Sequence, residues 1–416
     1  MMGAKPEIYR LLCQTCAVAN PVNAPRGMRD FLPQDKLKRE QLIGTVIQSY
    51  VARGFQQIET PVLEDLSRLT SGQGGDNEKL VFKVQKRGEE FTQALEQGDE
   101  LADLGLRFDL TVPLTRFYAS NHAKLPRVFK AIQTGPVFRA ERPQKGRYRQ
   151  FIQCDIDIIG DDSILAELEL LSASLAALAA IGITDATIRV NHRELLRANI
   201  QSLGIAADDA LAAMIIIDKL DKIGIEGVAR ELAERFGEAV GAAASSWLAA
   251  IDAADIPEVL LPIWEGLGAR AKSLRFDPTL VRGMGYYTGS IFEIEHPESG
   301  SSIGGGGRYD GMVGKWLGTD APAVGISLGI ERIVDLIPEQ ESLADAVVLI
   351  LEPGTAALAL LLQQQLIAAG KTVRLERRPK NLKALLEQLG ENGFREFAIV
   401  SENLSELSEL DFKQIG

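Results

Sequence analysis

The 416-residue chain carries only three cysteines, Cys13, Cys16 and Cys154. So small and odd a number excludes a disulfide framework. Cys13 and Cys16 form a C-x-x-C pair, but no second pair follows to complete the four-ligand set of a structural zinc site. The surroundings do not suggest the strand-then-helix setting of a redox motif either. The pair therefore reads as part of an N-terminal extension, residues 1–24, with no catalytic role. Long apolar runs are missing as well. None reaches the roughly 18 residues of a membrane-spanning helix, and the richest stretch, Ala346–Leu351, is of strand length. The first residues, Met1-Met2-Gly3-Ala4-Lys5-Pro6, lack the apolar region of a leader peptide. The expectation is a cytoplasmic protein that does not contact a membrane. No fixed-period internal repeat occurs.

Positive charge is in deficit too. The net charge is −12, so the chain as a whole does not have the balance of a nucleic-acid binder. Its distribution is uneven, however. From Lys124 to Arg149 eight lysines and arginines stand against Glu141 alone, and from Lys371 to Lys383 six stand against Glu376. Two basic stretches in an acidic chain point to local polyanion sites rather than to solvated faces. What is present is otherwise ordinary: 46% apolar and 25% charged residues, enough for a sizeable core. The length suggests about two to three domains.

Along the chain, Pro25–Pro33 reads as a loop bracketed by prolines, and Asp35–Arg53 as an amphipathic helix with Leu42, Ile43, Val46, Ile47 and Tyr50 on one stripe, stopped by Gly54. Phe55–Thr60 predicts a strand and residues 71–76 a flexible loop. Between Leu106 and Ile159 the pattern favours strands joined by turns. Ser163–Leu178 predicts a helix that is apolar nearly all round and therefore buried. Residues 191–274 have the spacing of a helical insertion. Strands are expected again from Leu280 to Glu295 and at Ala323–Leu328, with helices around Tyr309–Leu317 and Ile330–Ile337. After a boundary near Glu339–Ser342, strand and helix alternate up to Val400, the pattern of a parallel α/β sheet.

Four constellations carry chemistry. In Leu106–Pro113, Asp109 and Thr111 would share a face if extended and could grip an ammonium group; an N-cap or a turn is the competing reading. In Gly135–Phe151, apolar strands flank a loop crowded with arginines, whose planar forks suit phosphate oxygens of a nucleotide, a nucleic-acid backbone, or both. Phe151 could stack on a base. Gln153, Asp155 and Asp157 then alternate with apolar residues, giving a polar sheet face that costs stability unless it serves a ligand. The third constellation is Leu280–Gly289, with Arg282, Tyr286 and Tyr287 among glycines. The fourth is the glycine run Gly304–Gly307 with Tyr309, followed by Gly325–Arg332. The run does not fit the dinucleotide-binding fingerprint and by itself could be a tight turn.

In order and spacing the four together resemble the class II aminoacyl-tRNA synthetases, and within them the histidyl-tRNA synthetase family. Phe138–Phe151 resembles the second class motif, Gly325–Arg332 the third, and Gly54–Pro61 with the helix before it the first. Arg282–Gly289 and Gly305–Gly311 resemble the two stretches particular to the histidine enzymes. The resemblance covers about residues 25–400. It implies an α+β fold: an antiparallel catalytic sheet flanked by helices (residues 25–190 and 275–338), a helical insertion (191–274) and a short α/β anticodon-binding-like domain (343–416). It further implies a homodimer that joins histidine to ATP, with Mg2+ bridging the phosphates, and then to tRNA(His). By resemblance Arg139 and Arg282 hold the α-phosphate as catalytic residues. Arg147 takes the pyrophosphate end, and Arg332 and Phe151 enclose the adenine. Asp109, Leu110, Thr111 and Gln153 surround the α-amino group, Asp157 and Tyr287 read the imidazole, and Tyr286 and Tyr309 line the pocket. Gln144 and Arg149 approach the tRNA acceptor end.

Three departures accompany the resemblance. Gly285 stands where the histidine enzymes usually have an aspartate, the tail after Val400 is short and acidic, and residues 1–24 have no counterpart. A non-catalytic paralogue, the histidine-sensing regulatory subunit of ATP phosphoribosyltransferase, typically lacks the catalytic arginines and the C-terminal domain; the presence of Arg139, Arg282, Arg332 and most of an α/β tail favours the synthetase. An enzyme that adenylates histidine for an acceptor other than tRNA is the third reading, supported by the short tail alone.

Overall fold

The computed structural model describes residues 22–70, 80–144, 146–251, 254–282, 286–338 and 346–415. Cys13, Cys16, Gly285 and the Glu339–Ser342 boundary lie outside the described residues. In chain order the strands are β1 (Gln56–Ile58), β2 (Leu63–Asp65), β3 (Phe82–Gln85), β4 (Ala102–Leu106), β5 (Phe129–Phe138), β6 (Gln150–Ile159), β7 (Thr187–His192), β8 (Leu274–Phe276), β9 (Ser290–Glu295), β10 (Gly304–Arg308), β11 (Ala323–Gly329), β12 (Ala346–Leu351), β13 (Thr372–Arg377), β14 (Glu396–Val400) and β15 (Lys413–Gln414). They form sheets of eight, four and three strands, and with the helices between them the fold class is α+β.

Contacts divide the chain into two compact units. The first takes in the residues up to Asp30, Pro61–Pro113 and Gly135–Ile152. It contains the three-stranded sheet, ordered β2-β4-β3. Gly105 sits at its centre with no side chain, because Val81 and Leu69 already fill the space a Cβ would take, 2.7 and 2.8 Å away. Buried Arg107 ties this unit internally: its guanidinium donates to the Pro136 carbonyl at 2.9 Å and to that of Pro61 at 3.4 Å.

The second unit comprises Phe31–Thr60, Leu114–Thr134 and the residues from Gln153 on. The large sheet runs β1-β5-β6-β11-β10-β9-β7-β8. The stretch β6-β11-β10-β9-β7 is antiparallel throughout; β8 joins β7 in parallel at one edge, and at the other β1 pairs in parallel with β5. The helix Ile164–Ala180 packs on the helix Pro33–Val51 and buries Leu170, Leu171 and Leu178. Each contributes about 1.5–3 kcal/mol by leaving water. Four helices, Arg193–Ser202, Ala210–Ile217, Leu220–Phe236 and Glu238–Ala249, enclose a core of their own around Leu196, Met214, Val228, Leu232 and Leu248. In the C-terminal sheet β12 lies between β13 and β14, parallel to both. Val347 and Leu349 enter the core on one face, Ala346, Val348 and Ile350 that on the other, which is why this strand reads as a continuous apolar run.

Four expectations need correction or completion. Residues Thr111–Asn121 are a helix, not a strand; Pro113 is compatible with a first helical turn, where its missing N–H would have no partner anyway. Residues 286–289 form no strand, which begins only at Ser290. The glycine run, for which a tight turn stayed open, is the strand β10, hydrogen-bonded on both sides. The tail past Val400 adds the antiparallel edge strand β15.

Candidate active site

In the first unit the helix beginning at Thr111 is capped by Asp109, whose Oδ1 accepts from the Val112 N–H at 3.0 Å. The N-cap reading of this pair, not the extended one, is correct. Oδ2 of the same carboxylate is buried and has no hydrogen-bond partner among the described residues. Burial pushes its pKa up to about 6, against the opposing pull of the Val112 N–H and of Arg139. Leu110 beside it is buried. Arg139 donates to the Phe108 carbonyl at 3.1 Å, and its guanidinium carbon lies 5.1 Å from the centre of the Phe151 ring. An arginine, an aromatic face and a buried carboxylate are thus gathered in one unit.

The hairpin loop beyond them is held by its own backbone. Gln144 and Arg147 exchange N–H···O bonds at 3.2 and 2.9 Å. Arg147 also pairs with Glu141 at 3.8 Å, a half-exposed contact of little net strength. Arg149 is engaged in holding the loop: its backbone donates to the Gly27 carbonyl at 2.7 Å and its Nε to that of Glu141 at 2.9 Å. Gly27 has φ 84° and sits where a Cβ would strike Pro143 and Arg149.

A raised carboxyl pKa has a thermodynamic sign. The folded state holds the Asp109 proton more tightly than the unfolded chain does, so stability is lost as pH rises from about 4 through about 6. The gap corresponds to about 3 kcal/mol. Asp109→Asn keeps the cap and removes the buried charge. Its unfolding free energy relative to the parent should therefore rise between pH 5 and pH 7.5. Urea unfolding at the two pH values measures this, and a pH-independent difference would contradict it.

In the second unit one face of the large sheet carries the polar residues. Across the ladder Arg189 opposes Glu293, Glu293 opposes Gly305, Gly305 opposes Ser327, and Ser327 opposes Asp155. Two residues along the strands, Asp157 opposes Gly325, and Gly325 opposes Gly307. Glycines 305, 307 and 325 are therefore a bare floor, and side chains occupy the room. A Cβ on Gly305 would stand 2.6 Å from Arg282 Nη1, one on Gly307 2.8 Å from Tyr287, and one on Gly325 1.8 Å from Asp157 Oδ1. Tyr309 donates to that same Asp157 oxygen at 2.6 Å. Burial and then the Asp157 charge hold the Tyr309 pKa well above the usual phenol range, so the tyrosine remains the donor. Tyr286 packs edge-on against both Tyr287 and Tyr309, with ring centres at 4.8 and 6.1 Å. Gln153 donates to Ser327 at 2.5 Å and leaves its buried Oε1 without a partner. Arg332 donates to the Ser302 carbonyl. Burial opposes the charge on Arg282, yet the Tyr287 phenol and the Glu293 carboxylate raise its pKa above the ordinary arginine value.

Of the sequence-derived residues, Asp157, Tyr286, Tyr287, Tyr309 and Arg282 share this glycine-floored face with Gln153. Ser327, Glu293 and the glycine floor were missed. Their signal was available: glycines at alternate positions, 305 and 307, matched by 325 on the next strand, mark a sheet face kept clear. Gly325→Ala should displace Asp157 and break its bond to Tyr309. Hydrogen bonds to charged groups are worth about 1.5–3 kcal/mol, so the unfolding free energy should fall by about that much. Urea unfolding checks this, and parental stability would refute the floor's role.

A family model described as Histidyl-tRNA synthetase matches residues 27–333. A histidine–tRNA ligase from Leifsonia xyli subsp. xyli is 52% identical over 96% of this chain and 99% of its own. A probable histidine–tRNA ligase from Tropheryma whipplei is 41% identical over 90% of this chain and 94% of its own. The crystal structure of histidyl-tRNA synthetase from Nostoc sp. PCC 7120 superposes with a TM-score of 0.73 at 26% identity, covering 95% of this chain and 97% of the other. The chain belongs to the histidyl-tRNA synthetase family.

Proposed function

We infer that this chain is a histidine–tRNA ligase. The observation that carries the reading is the match to curated ligases over nearly the whole chain, joined to the retention of Arg139, Arg282 and Arg332. A carboxylate oxygen of histidine attacks the α-phosphorus of ATP. The bond to the β-phosphate breaks, pyrophosphate leaves, and histidyl-adenylate forms. A hydroxyl of the terminal ribose of tRNA(His) then attacks the histidyl carbonyl and AMP departs. The first step develops negative charge on phosphate oxygens and calls for fixed cations more than for covalent help.

The assignment of parts is ours. Arg139 and Arg282 neutralise the α-phosphate, and Arg282 also approaches the histidine carboxylate. Arg147 takes the pyrophosphate end, while Arg332 and Phe151 enclose the adenine. By resemblance Asp109, Thr111 and Gln153 take the ammonium group, which offers three donors; the buried Asp109 carboxylate is of the acceptor kind that such a group needs. Asp157 and the tyrosines suit an imidazole, whose two nitrogens need a donor and an acceptor; a site of this kind rejects isosteres strongly. Gln144 and Arg149 lie on the loop that meets the tRNA acceptor end. Magnesium belongs with the nucleotide phosphates, which supply its oxygen ligands. The protein acts as a homodimer in the cytoplasm, and residues 343–416 approach the anticodon. Among the described residues no helix is long and apolar enough to cross a membrane.

Histidine-dependent ATP–pyrophosphate exchange, followed by charging of tRNA(His), tests the reading. Folded protein without exchange would overturn it. Exchange without charging would point to another acceptor.

A further inference from the structure

Arg282 is held from beneath by one carboxylate that is itself held by a second arginine. Glu293 lies on β9 directly opposite Arg189 on β7 and opposite Gly305 on β10. Its two oxygens are divided: Oε1 accepts from Arg189 at 3.1 Å and Oε2 from Arg282 at 2.8 Å. The Arg282 guanidinium occupies the space that the missing side chain of Gly305 leaves beside it. Arg189 is buried and anchored independently. Asp277 meets it at 2.5 Å and Glu295 at 2.9 Å, and Asp277 is fixed in turn by the Thr279 hydroxyl at 2.7 Å and backbone N–H at 2.9 Å. Asp221, at 3.6 Å on the helix Leu220–Phe236, brings the inserted helices to the same guanidinium.

We propose that Glu293 is the positioning residue of Arg282: bridging Arg282 and the anchored Arg189, it fixes the Arg282 guanidinium over the Gly305 gap and joins it, through Arg189, to the inserted helices. The proposal rests on the phosphate-binding reading of Arg282. Physically, an arginine on a segment outside regular structure keeps about 2 kcal/mol of rotamer entropy, and a charged bond to a fixed carboxylate removes that freedom before substrate arrives. The carboxylate holds the fork by one edge, through Nη1. Its negative charge also restrains how tightly Arg282 grips a ground-state carboxylate, so the favourable change comes when the phosphate oxygens gain charge. The effect belongs in kcat rather than in KM.

Glu293→Gln is isosteric and leaves Arg189 with Asp277 and Glu295. Misplacing a catalytic group by about 1 Å costs up to about 100-fold, so the kcat of ATP–pyrophosphate exchange should fall about 10- to 100-fold. KM for ATP and histidine should stay within about threefold, and the thermal midpoint should remain that of the parent. Glu293→Asp, which keeps the charge but shortens the reach, should recover part of the loss. In the Arg282→Ala background, Glu293→Gln should change single-turnover adenylate formation no further, because the group it positions is gone. Parental kcat in Glu293→Gln, or the same fold-loss with and without Arg282, overturns the proposal. If Glu293→Gln melts early, Glu293→Asp carries the test: a lowered kcat at parental KM supports positioning, and a parental kcat refutes it. Full exchange in Arg282→Ala would overturn the reading of Arg282 and this proposal with it. An inactive Arg282→Ala beside a fully active Glu293→Gln would overturn this proposal alone.

Discussion

Arg282→Ala should lower histidine-dependent ATP–pyrophosphate exchange by about 10²–10³-fold, the size of effect expected when one preorganised charge donor is removed from a transition state. Stability should hardly change. The guanidinium is not part of the apolar core, and the carboxylate it leaves, Glu293, retains Arg189 at 3.1 Å, so no buried charge is stranded. Exchange and a thermal melt on the same preparation separate the two quantities. Exchange at the parental rate would remove Arg282 from the reaction. A large fall in melting temperature would make it structural instead.

The opposite pattern is expected on the far side of the motif that holds Arg332. Arg39, on the helix Pro33–Val51, pairs with Glu331 at the start of the helix Ile330–Val334, and both are buried. Its guanidinium also lies 4.2 Å from the Phe31 ring centre. Arg39→Ala deprives Glu331 of its positive partner in a low-dielectric setting. Breaking a buried pair from one side typically costs about 3–5 kcal/mol, a large share of a domain's whole stability. Replacing both partners with apolar residues of similar size, Arg39→Met with Glu331→Leu, should restore most of it. Urea unfolding measures both. A single variant as stable as the parent would show that the pair contributes little.

Much of this molecule could be read from its residues before any coordinates. The helix at Pro33–Val51, the buried helix at Ile164–Ala180 and the C-terminal alternation followed from apolar spacing, because burial there is one-sided or complete and local pattern reports it directly. The tyrosines and Asp157 were recognisable from their motifs, and the structure brings them to one face. What was not legible depends on partners distant in sequence. The helix at Thr111 was mistaken for a strand because its buried residues 112–115 follow one another without a helical gap and its cap, Asp109, fits either state. The glycine run left a turn open because glycine is ordinarily chosen for conformational freedom. Here it is chosen for the absence of a Cβ, a need created by Arg282, Tyr287 and the neighbouring strand β11. Glu293 was invisible because its two arginines, at 189 and 282, come together only through strand pairing.

The glycine floor also makes mutation one-directional. Residues 305, 307 and 325 already have the smallest side group available, so every substitution at them takes space away and none can add it. On the proposed assignment of this face to the amino acid, selection for a larger one, in the laboratory or in nature, has no path through the floor. Room can be gained only at the walls, at Tyr286, Tyr287 and Tyr309, where trimming a ring also disturbs the aromatic packing and, at Tyr309, the bond to Asp157. The pocket's size limit is thus written in backbone, and its chemistry in side chains.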